Sequence, residues 1–404
     1  MLVPCLGLCN AGDLAFAKGT RPTAFRCVSI VPTSRRIAVR RREVKVLKIG
    51  IVGLGQVGKT TLFRILTHAH GSGLASGRPE AHLGVVHVPD TRLDRLVRVY
   101  PGRKTVYASV EYVDSPGSVI DLLRTGVQTA NLREMDALAH VVRAFEDEAL
   151  PPPGGSVNPQ GDIENVELEM ILSDLAVIEK RLERLERDLT KQKSPALEKE
   201  HQVLLTCKAA LEKQTPLREV ALGAEEATVR GFTFLSLKPM LYVLNLGEKD
   251  AARVNAAEEF AAQAGLKQRP KTGVAAVSGK IEAELAELSD AEAAEFLESY
   301  GLKESAIYRL IRVSYQLLGV ISFFTVGENE CRAWTIRSGA TAWEAAGEVH
   351  SDFQKGFIRA EVVKFEDLVA AGSLAEARNR GVLKLEGKEY VLHDGEVVYI
   401  RHAP

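Results

Sequence analysis

Residues 47–61 read Leu47-Lys-Ile-Gly-Ile-Val-Gly-Leu-Gly-Gln-Val-Gly-Lys-Thr-Thr61, a strand signal, a glycine-rich loop and a helix start in that order. The apolar run of Leu47, Ile49, Ile51 and Val52 stops at Gly53, and Gly53-x4-Gly58-Lys59-Thr60 fits the phosphate-binding pattern G-x-x-x-x-G-K-[ST]. Gly53 and Gly58 admit backbone dihedrals closed to other residues. The N–H groups between them, those of Gly55, Gln56 and Val57 included, can therefore turn inward toward phosphate oxygens. Lys59 sets a point charge against the β- and γ-phosphates, and the Thr60 hydroxyl can ligate Mg²⁺. Thr61 to Thr67 has helical spacing, so a helix dipole points at the anion.

Downstream, His68–Pro89 reads as a Gly- and Ser-rich loop and Asp90–Tyr100 as a short helix. Val106–Val113 alternates as a single strand and ends at Asp114-Ser-Pro-Gly117. A strand capped by D-x-x-G is the second fixed point of a phosphate-loop switch protein. There Asp114 holds Mg²⁺, directly or through water, and the Gly117 N–H meets the γ-phosphate. Lys59, Asp114 and Gly117 are thus the candidate catalytic residues, and Thr60 with Asp114 the candidate metal ligands.

Two further buried strands are expected at Ala137–Phe145 and Met240–Asn245, the second running into Asn245-Leu-Gly-Glu248. A guanine-specific switch protein carries N-K-x-D here, its Asp accepting from the guanine N1–H and N2 amine. In this chain Leu246 and Glu248 replace the Lys and Asp. A carboxylate one methylene longer is badly placed for that pair of bonds, so guanine preference should be lost. A third loop, Val277-Ser-Gly-Lys280, would lay Ser278 and Gly279 against the base.

A charged insertion, about residues 165–215, separates those strands. Leu168, Leu175, Leu182 and Leu189 recur at heptad spacing with Ile171, Ile178 and Leu185 between them. Ser194-Pro195 breaks the pattern and Leu197, Leu204 and Leu211 resume it, which reads as an antiparallel helical hairpin; dimerisation through the seam is the alternative. From Gly319 the texture changes to a small α+β module. Strands are expected at Cys331–Ile336 and Ile358–Phe365, a helix at Thr341–Gly347, and a β-hairpin over Val382–Ile400 turning at Asp394-Gly395.

With 404 residues, 46% apolar and 26% charged, the chain is long enough for two or three domains with a sizeable core. A formal net charge of −1 argues against a whole-chain electrostatic nucleic-acid binder. The five cysteines have no metal-ligand spacing and suggest free thiols in a reducing compartment; no stretch reaches the length of a membrane span. Residues 1–45 are Arg-rich and acid-poor. They read as a start placed too far upstream, in a cytoplasmic protein, or else as an organellar transit segment.

Taken together, the phosphate loop, Gly84-Val-Val-His-Val-Pro-Asp-Thr-Arg-Leu-Asp94, Ala139-His-Val-Val-Arg-Ala-Phe145, the Asn245–Glu248 motif, Arg332–Ile336, His350–Ala360 and Glu386–Tyr390 resemble the YchF/Obg-like ATPases. The resemblance runs from about Val46 to the C-terminus. It implies an α/β G-domain (46–318) with a mostly parallel sheet, interrupted by the hairpin, and a C-terminal TGS domain (319–404) of ubiquitin-like β-grasp fold. It also implies a monomeric, Mg²⁺-dependent hydrolase that prefers ATP to GTP and associates with the ribosome, with no membrane partner. Departures fall on the switches. Gly71–Leu83 lacks the family's Thr, and Ser118 stands where a hydrophobic residue follows the D-x-x-G glycine. Slow turnover is therefore expected. A nucleotide-responsive ribosome- or RNA-binding module with vestigial hydrolysis is the alternative.

Overall fold

The computed structural model describes residues 47–68, 82–115, 117–126, 129–152, 155–192 and 194–403. The readings made for residues 1–45 and for most of Gly71–Leu83 lie outside these. In chain order the first strands are β1 (Lys48–Val52), β2 (His82–His87), β3 (Lys104–Val106), β4 (Ser109–Asp114), β5 (Ala137–Ala144), β6 (Met240–Leu246) and β7 (Thr272–Val277). Those of the C-terminal part are β8 (Val320–Val326), β9 (Glu330–Arg337), β10 (Phe357–Lys364), β11 (Lys384–Glu386) and β12 (Glu396–His402).

The first sheet runs β2-β4-β1-β5-β6-β7. All its pairings are parallel except β2 with β4. β6 is buried at every residue and β5 at all but its last, as expected for strands covered on both faces and written as continuous apolar runs. Helix α1 (Lys59–His68) leaves the loop after β1, and α2 (Thr91–Val99) is capped by the Asp90 carboxylate, which accepts from the Arg92 N–H.

The presence of β2 corrects the reading of 68–89 as loop. Val86 is buried in the core. Gly84 lets the strand pass close over α1: a Cβ there would lie 2.1 Å from Thr67 Cγ2. A short strand with one buried valine carries little alternation, so pattern alone misses it.

The single strand expected over 106–113 is instead broken between two sheets. β4 pairs with β1 and β2, whereas β3 pairs in parallel with β9, Lys104 opposite Glu330 and Val106 opposite Arg332. The chain turns at Tyr107 and Ala108, where the Tyr107 hydroxyl donates to Asp94 and the Ala108 carbonyl accepts from the Val88 N–H at 2.8 Å.

The second sheet runs β11-β10-β12-β8-β9-β3. Its first five members have the β-grasp order, with β8–β9 and β10–β12 antiparallel and β12 parallel to β8 at the centre. The helix Ala342–Val349 carries a Thr341–Glu344 capping box and buries Ala342, Ala345 and Ala346 against one face. The expected hairpin over 382–400 is not formed: β11 and β12 flank β10 on opposite sides and do not pair. Asp394, placed at the expected hairpin turn, instead accepts from the Ser322 N–H at 2.9 Å and from Arg92 at 2.7 Å.

Glu43–Pro404 form one compact unit, and the two sheets are fastened through α2. Arg95 pairs with Glu366 and lies over the Phe365 ring, Arg92 lies over Phe324, and the Tyr100 hydroxyl accepts from the Leu374 N–H at 3.0 Å.

The insertion is a helical hairpin of α5 (Pro159–Lys191) and α6 (Pro195–Glu212), whose prolines sit in the first turn of each helix. Its seam is Ile171, Ile178, Leu182 and Leu185 against Val203, Leu204, Cys207 and Leu211. Leu168, the first residue of the leucine heptad, is exposed. At the hairpin root the Glu167 carboxylate gathers Arg218, Arg269 and the Tyr242 hydroxyl of β6. Deeper still, Asp174 accepts from the Leu235 N–H, the Ser236 N–H and Arg133. Cys207 and Cys331 are buried free thiols. Among the described residues, no helix is long and apolar enough to cross a membrane.

Candidate functional site

The loop after β1 opens onto a cavity of about 1290 Å³ at the C-terminal edge of the parallel strands, where open α/β sheets bind ligands. Gly55, Gln56, Val57, Gly58, Lys59, Thr60 and Thr61 line one end; Leu246, Glu248 and Lys280 line another. Two glycines make the loop possible. At Gly53, φ is +154° and a Cβ would sit 2.6 Å from the Val141 carbonyl oxygen; at Gly58, φ is +95° and a Cβ would meet Asn245 Nδ2 at 2.4 Å. Gln56 takes φ +59°, a left-handed position that non-glycine residues occupy mostly where surrounding structure imposes it. Helix α1 has no acidic residue in its first turn, so its N-terminus faces the cavity as an undiluted anion site.

Lys59 bends over this loop, its Nζ donating to the Gly53 carbonyl at 3.2 Å and the Leu54 carbonyl at 2.5 Å. Burial lowers its pKa to about 8, while the neighbouring Asp114 charge works the other way. Asp114 ends β4 and is itself 2% exposed. Its Oδ2 accepts from the Thr60 hydroxyl at 3.0 Å, and its buried Oδ1 has no protein partner among the described residues. Burial raises the Asp114 pKa, with Thr60 and Lys59 pulling it down. A hydroxyl and a carboxylate oxygen brought together beside a phosphate loop, one oxygen still without a donor, suit a hard cation such as Mg²⁺. Among the described residues, no group of three or more His, Cys, Asp or Glu could hold a metal by itself, so such a cation would complete its shell with phosphate and water. Gly117 and Ser118 line the same end of the cavity, and the chain enters helix α3 (Val119–Thr125) directly afterwards.

The base-side residues are arranged less simply than the motif suggests. Asn245 points back into the protein: its Nδ2 donates to the Val57 carbonyl at 3.0 Å and its Oδ1 accepts from the Gly279 N–H at 3.1 Å. One side chain on β6 thus ties the phosphate loop to the loop after β7. Ser278 is buried beside this tie, and Gly279 and Leu246 line the cavity. Glu248 reaches the cavity but is held there, with Oε2 on Lys280 Nζ at 2.5 Å and Oε1 on the Tyr300 hydroxyl at 3.2 Å. Both contacts keep its carboxyl below the ordinary carboxylate pKa. Lys280 and Tyr300 were not among the expected site residues. Lys280 directly follows Ser278-Gly279 and was within reach of sequence reasoning; Tyr300 meets Glu248 only through the fold.

Behind the loop lies His140 of β5, fully buried, both ring nitrogens without a partner among the described residues and its ring 5.8 Å from that of Tyr242. Burial, reinforced by the Lys59 and Arg218 charges, lowers its pKa to about 3. Because the folded pKa lies below that of an unfolded histidine, the neutral ring's stability is fully present above about pH 6.5 and is lost as pH falls toward 3. Between pH 7 and pH 5 this one group should remove about 2 kcal/mol. His140→Leu should flatten the acid side of the urea-denaturation profile by that amount. An unchanged slope would mean that the buried imidazole takes up its proton at the same pH as in the unfolded chain.

Comparison with known proteins agrees with this architecture. Residues 320–403 match the family YchF-GTPase_C, described as a protein of unknown function. The chain is 40% identical over 365 residues to the Ribosome-binding ATPase YchF of Bacillus subtilis, covering 88% of this chain and 99% of the relative. It is 39% identical over 361 residues to the protein of that name from Escherichia coli O157:H7, covering 87% and 98%. The solved Schizosaccharomyces pombe YchF GTPase superimposes with a TM-score of 0.75 at 28% identity, over 88% of this chain and 97% of that one. A phosphate loop on a parallel sheet, a helical hairpin and a β-grasp module in one unbroken order, with relatives of this identity along nearly their whole length, place the chain in the YchF family.

Proposed function

We propose that this chain is a Mg²⁺-dependent ATPase that prefers ATP to GTP, turns over slowly on its own and acts as a nucleotide switch on the ribosome. The observation that carries the reading is the Thr60–Asp114 pair, 3.0 Å apart beside the Lys59 loop. Thr60 and Asp114 would hold Mg²⁺, which supplies charge neutralisation on the β- and γ-phosphates. Lys59 leaves the loop carbonyls for the phosphate oxygens, and the Gly117 N–H donates to the γ-phosphate. Water attacks phosphorus, the bond to the β-phosphate oxygen breaks, and ADP and phosphate leave. Among the described residues, no side chain at this end suits a strong general base, hence the slow rate. Ribosome association rests on relatives named ribosome-binding ATPases. The adenine preference rests on Leu246 and Glu248 at the base end. Residues 46–318 and 319–404 serve as G-domain and TGS domain of a cytoplasmic monomer in this reading.

One observation favours the alternative of a binding module with vestigial hydrolysis. The chain after Gly117 is not a long loop but helix α3, with Val119 and Leu123 buried and Arg124 paired to Glu169 of the hairpin. A single-turnover assay with ribosomes present and absent separates the two: phosphate release accelerated by ribosomes supports the switch, and none under either condition supports the module. Competition of ATP against GTP should show ATP the tighter ligand. Equal or tighter GTP binding would remove the base argument.

A further inference from the structure

Resting on that adenine preference, the geometry points to Lys280 and Tyr300 as specificity-determining residues that withhold the Glu248 carboxylate from a guanine base. Guanine presents two adjacent donors, N1–H and the N2 amine, and a carboxylate recognises them with one oxygen each. In this chain the Glu248 carboxylate is held in one orientation by a donor on each oxygen, Lys280 Nζ at 2.5 Å and the Tyr300 hydroxyl at 3.2 Å. Adenine carries a single exocyclic amine and no N1–H, so it forgoes nothing when the carboxylate is engaged.

The clamp is assembled from three separate elements. Glu248 follows β6, Lys280 lies in the first turn of the helix Gly279–Leu285, and Tyr300 ends the helix Asp290–Ser299, its ring packed on Phe296 at 5.2 Å. The loop after β7 is itself fixed to β6 by the Gly279 N–H on Asn245, so Lys280 is delivered to Glu248 by the same backbone that braces the phosphate loop. The side-chain length of Glu248 is then a secondary matter. A longer carboxylate can still swing to meet two donors if nothing holds it, whereas one bonded at both oxygens to two other elements is kept from turning to face them. Discrimination by engaging an acceptor differs from discrimination by deleting it, and the two make different demands on mutants.

The test is a competition titration of ATP against GTP on the full chain, comparing the unsubstituted protein with K280M, Y300F, K280M/Y300F and K280M/Y300F/E248A. Freed from both partners, Glu248 gains charge-assisted acceptance of guanine donors, so GTP affinity in K280M/Y300F should rise about tenfold relative to ATP, with each single variant intermediate. Adding E248A should abolish the gain, which a general loosening of the pocket would not do. An ATP/GTP ratio unchanged in K280M/Y300F, or a gain that survives E248A, overturns the clamp. The underlying adenine preference fails separately, if the unsubstituted protein binds GTP as tightly as ATP.

Discussion

Lys59→Ala should lower ATP turnover by about two to three orders of magnitude, the loss typical of removing one preorganised positive donor from a developing oxyanion. Lys59 is 8% exposed, and burial has lowered its pKa to about 8, so the fold carries its ammonium at an energetic cost. Truncation relieves that cost. It also withdraws a positive charge from the buried Asp114, so the two effects oppose and the unfolding temperature should change little while phosphate release in a single-turnover assay collapses. A variant that hydrolyses ATP at the original rate would refute the phosphate grip.

The second large effect lies outside the cavity. Glu167→Leu should destabilise the protein by about 3–5 kcal/mol, the range for stripping the partner from a buried charge. Arg218 is 3% exposed and depends on Glu167; burial already pushes its guanidinium below the ordinary value. Arg269 and the Tyr242 hydroxyl lose the same acceptor. Chemical denaturation followed by far-UV circular dichroism measures the effect. Glu167→Leu with Arg218→Met should recover most of the loss, since a buried ion pair exchanged whole for apolar groups is often neutral or better. If the double variant is as weak as the single, the cause is lost shape and not stranded charge.

How far the sequence could be read follows from where each determinant lives. The phosphate loop was legible because its chemistry is local: Gly53, Gly58, Lys59 and Thr60 act within one turn of chain, and the strand and helix they require flank them directly. The hairpin was legible from heptad spacing, yet the buried seam favours Ile171, Ile178 and Leu185 while Leu168 faces solvent. A stripe of period seven does not say which of its neighbouring columns meets the partner. Over 106–113 the alternation predicts one strand where there are parts of two, because alternation reports which side chains are covered, not which sheet covers them. The 382–400 hairpin failed for a related reason: Asp394-Gly395 has the composition of a tight turn, but β10 lies between the strands it was expected to join. Glu248 with Tyr300, and Asn245 with the phosphate loop, are contacts between distant segments, and no single-sequence pattern encodes them.

The pairing of β3 with β9 also sets a timetable. A ribosome makes Lys104–Val106 long before Glu330–Arg332, their ladder partners, which emerge only after all the intervening chain. Until then β3, which lies between β2 and β4 in the chain, has no ladder partner, whereas β2 and β4 can already pair with each other. Pairings of such long sequence separation form slowly and leave open edges exposed to aggregation. Removing the chain from β8 onward would therefore leave β3 without a ladder, while the sheet that carries the phosphate loop keeps all six of its strands.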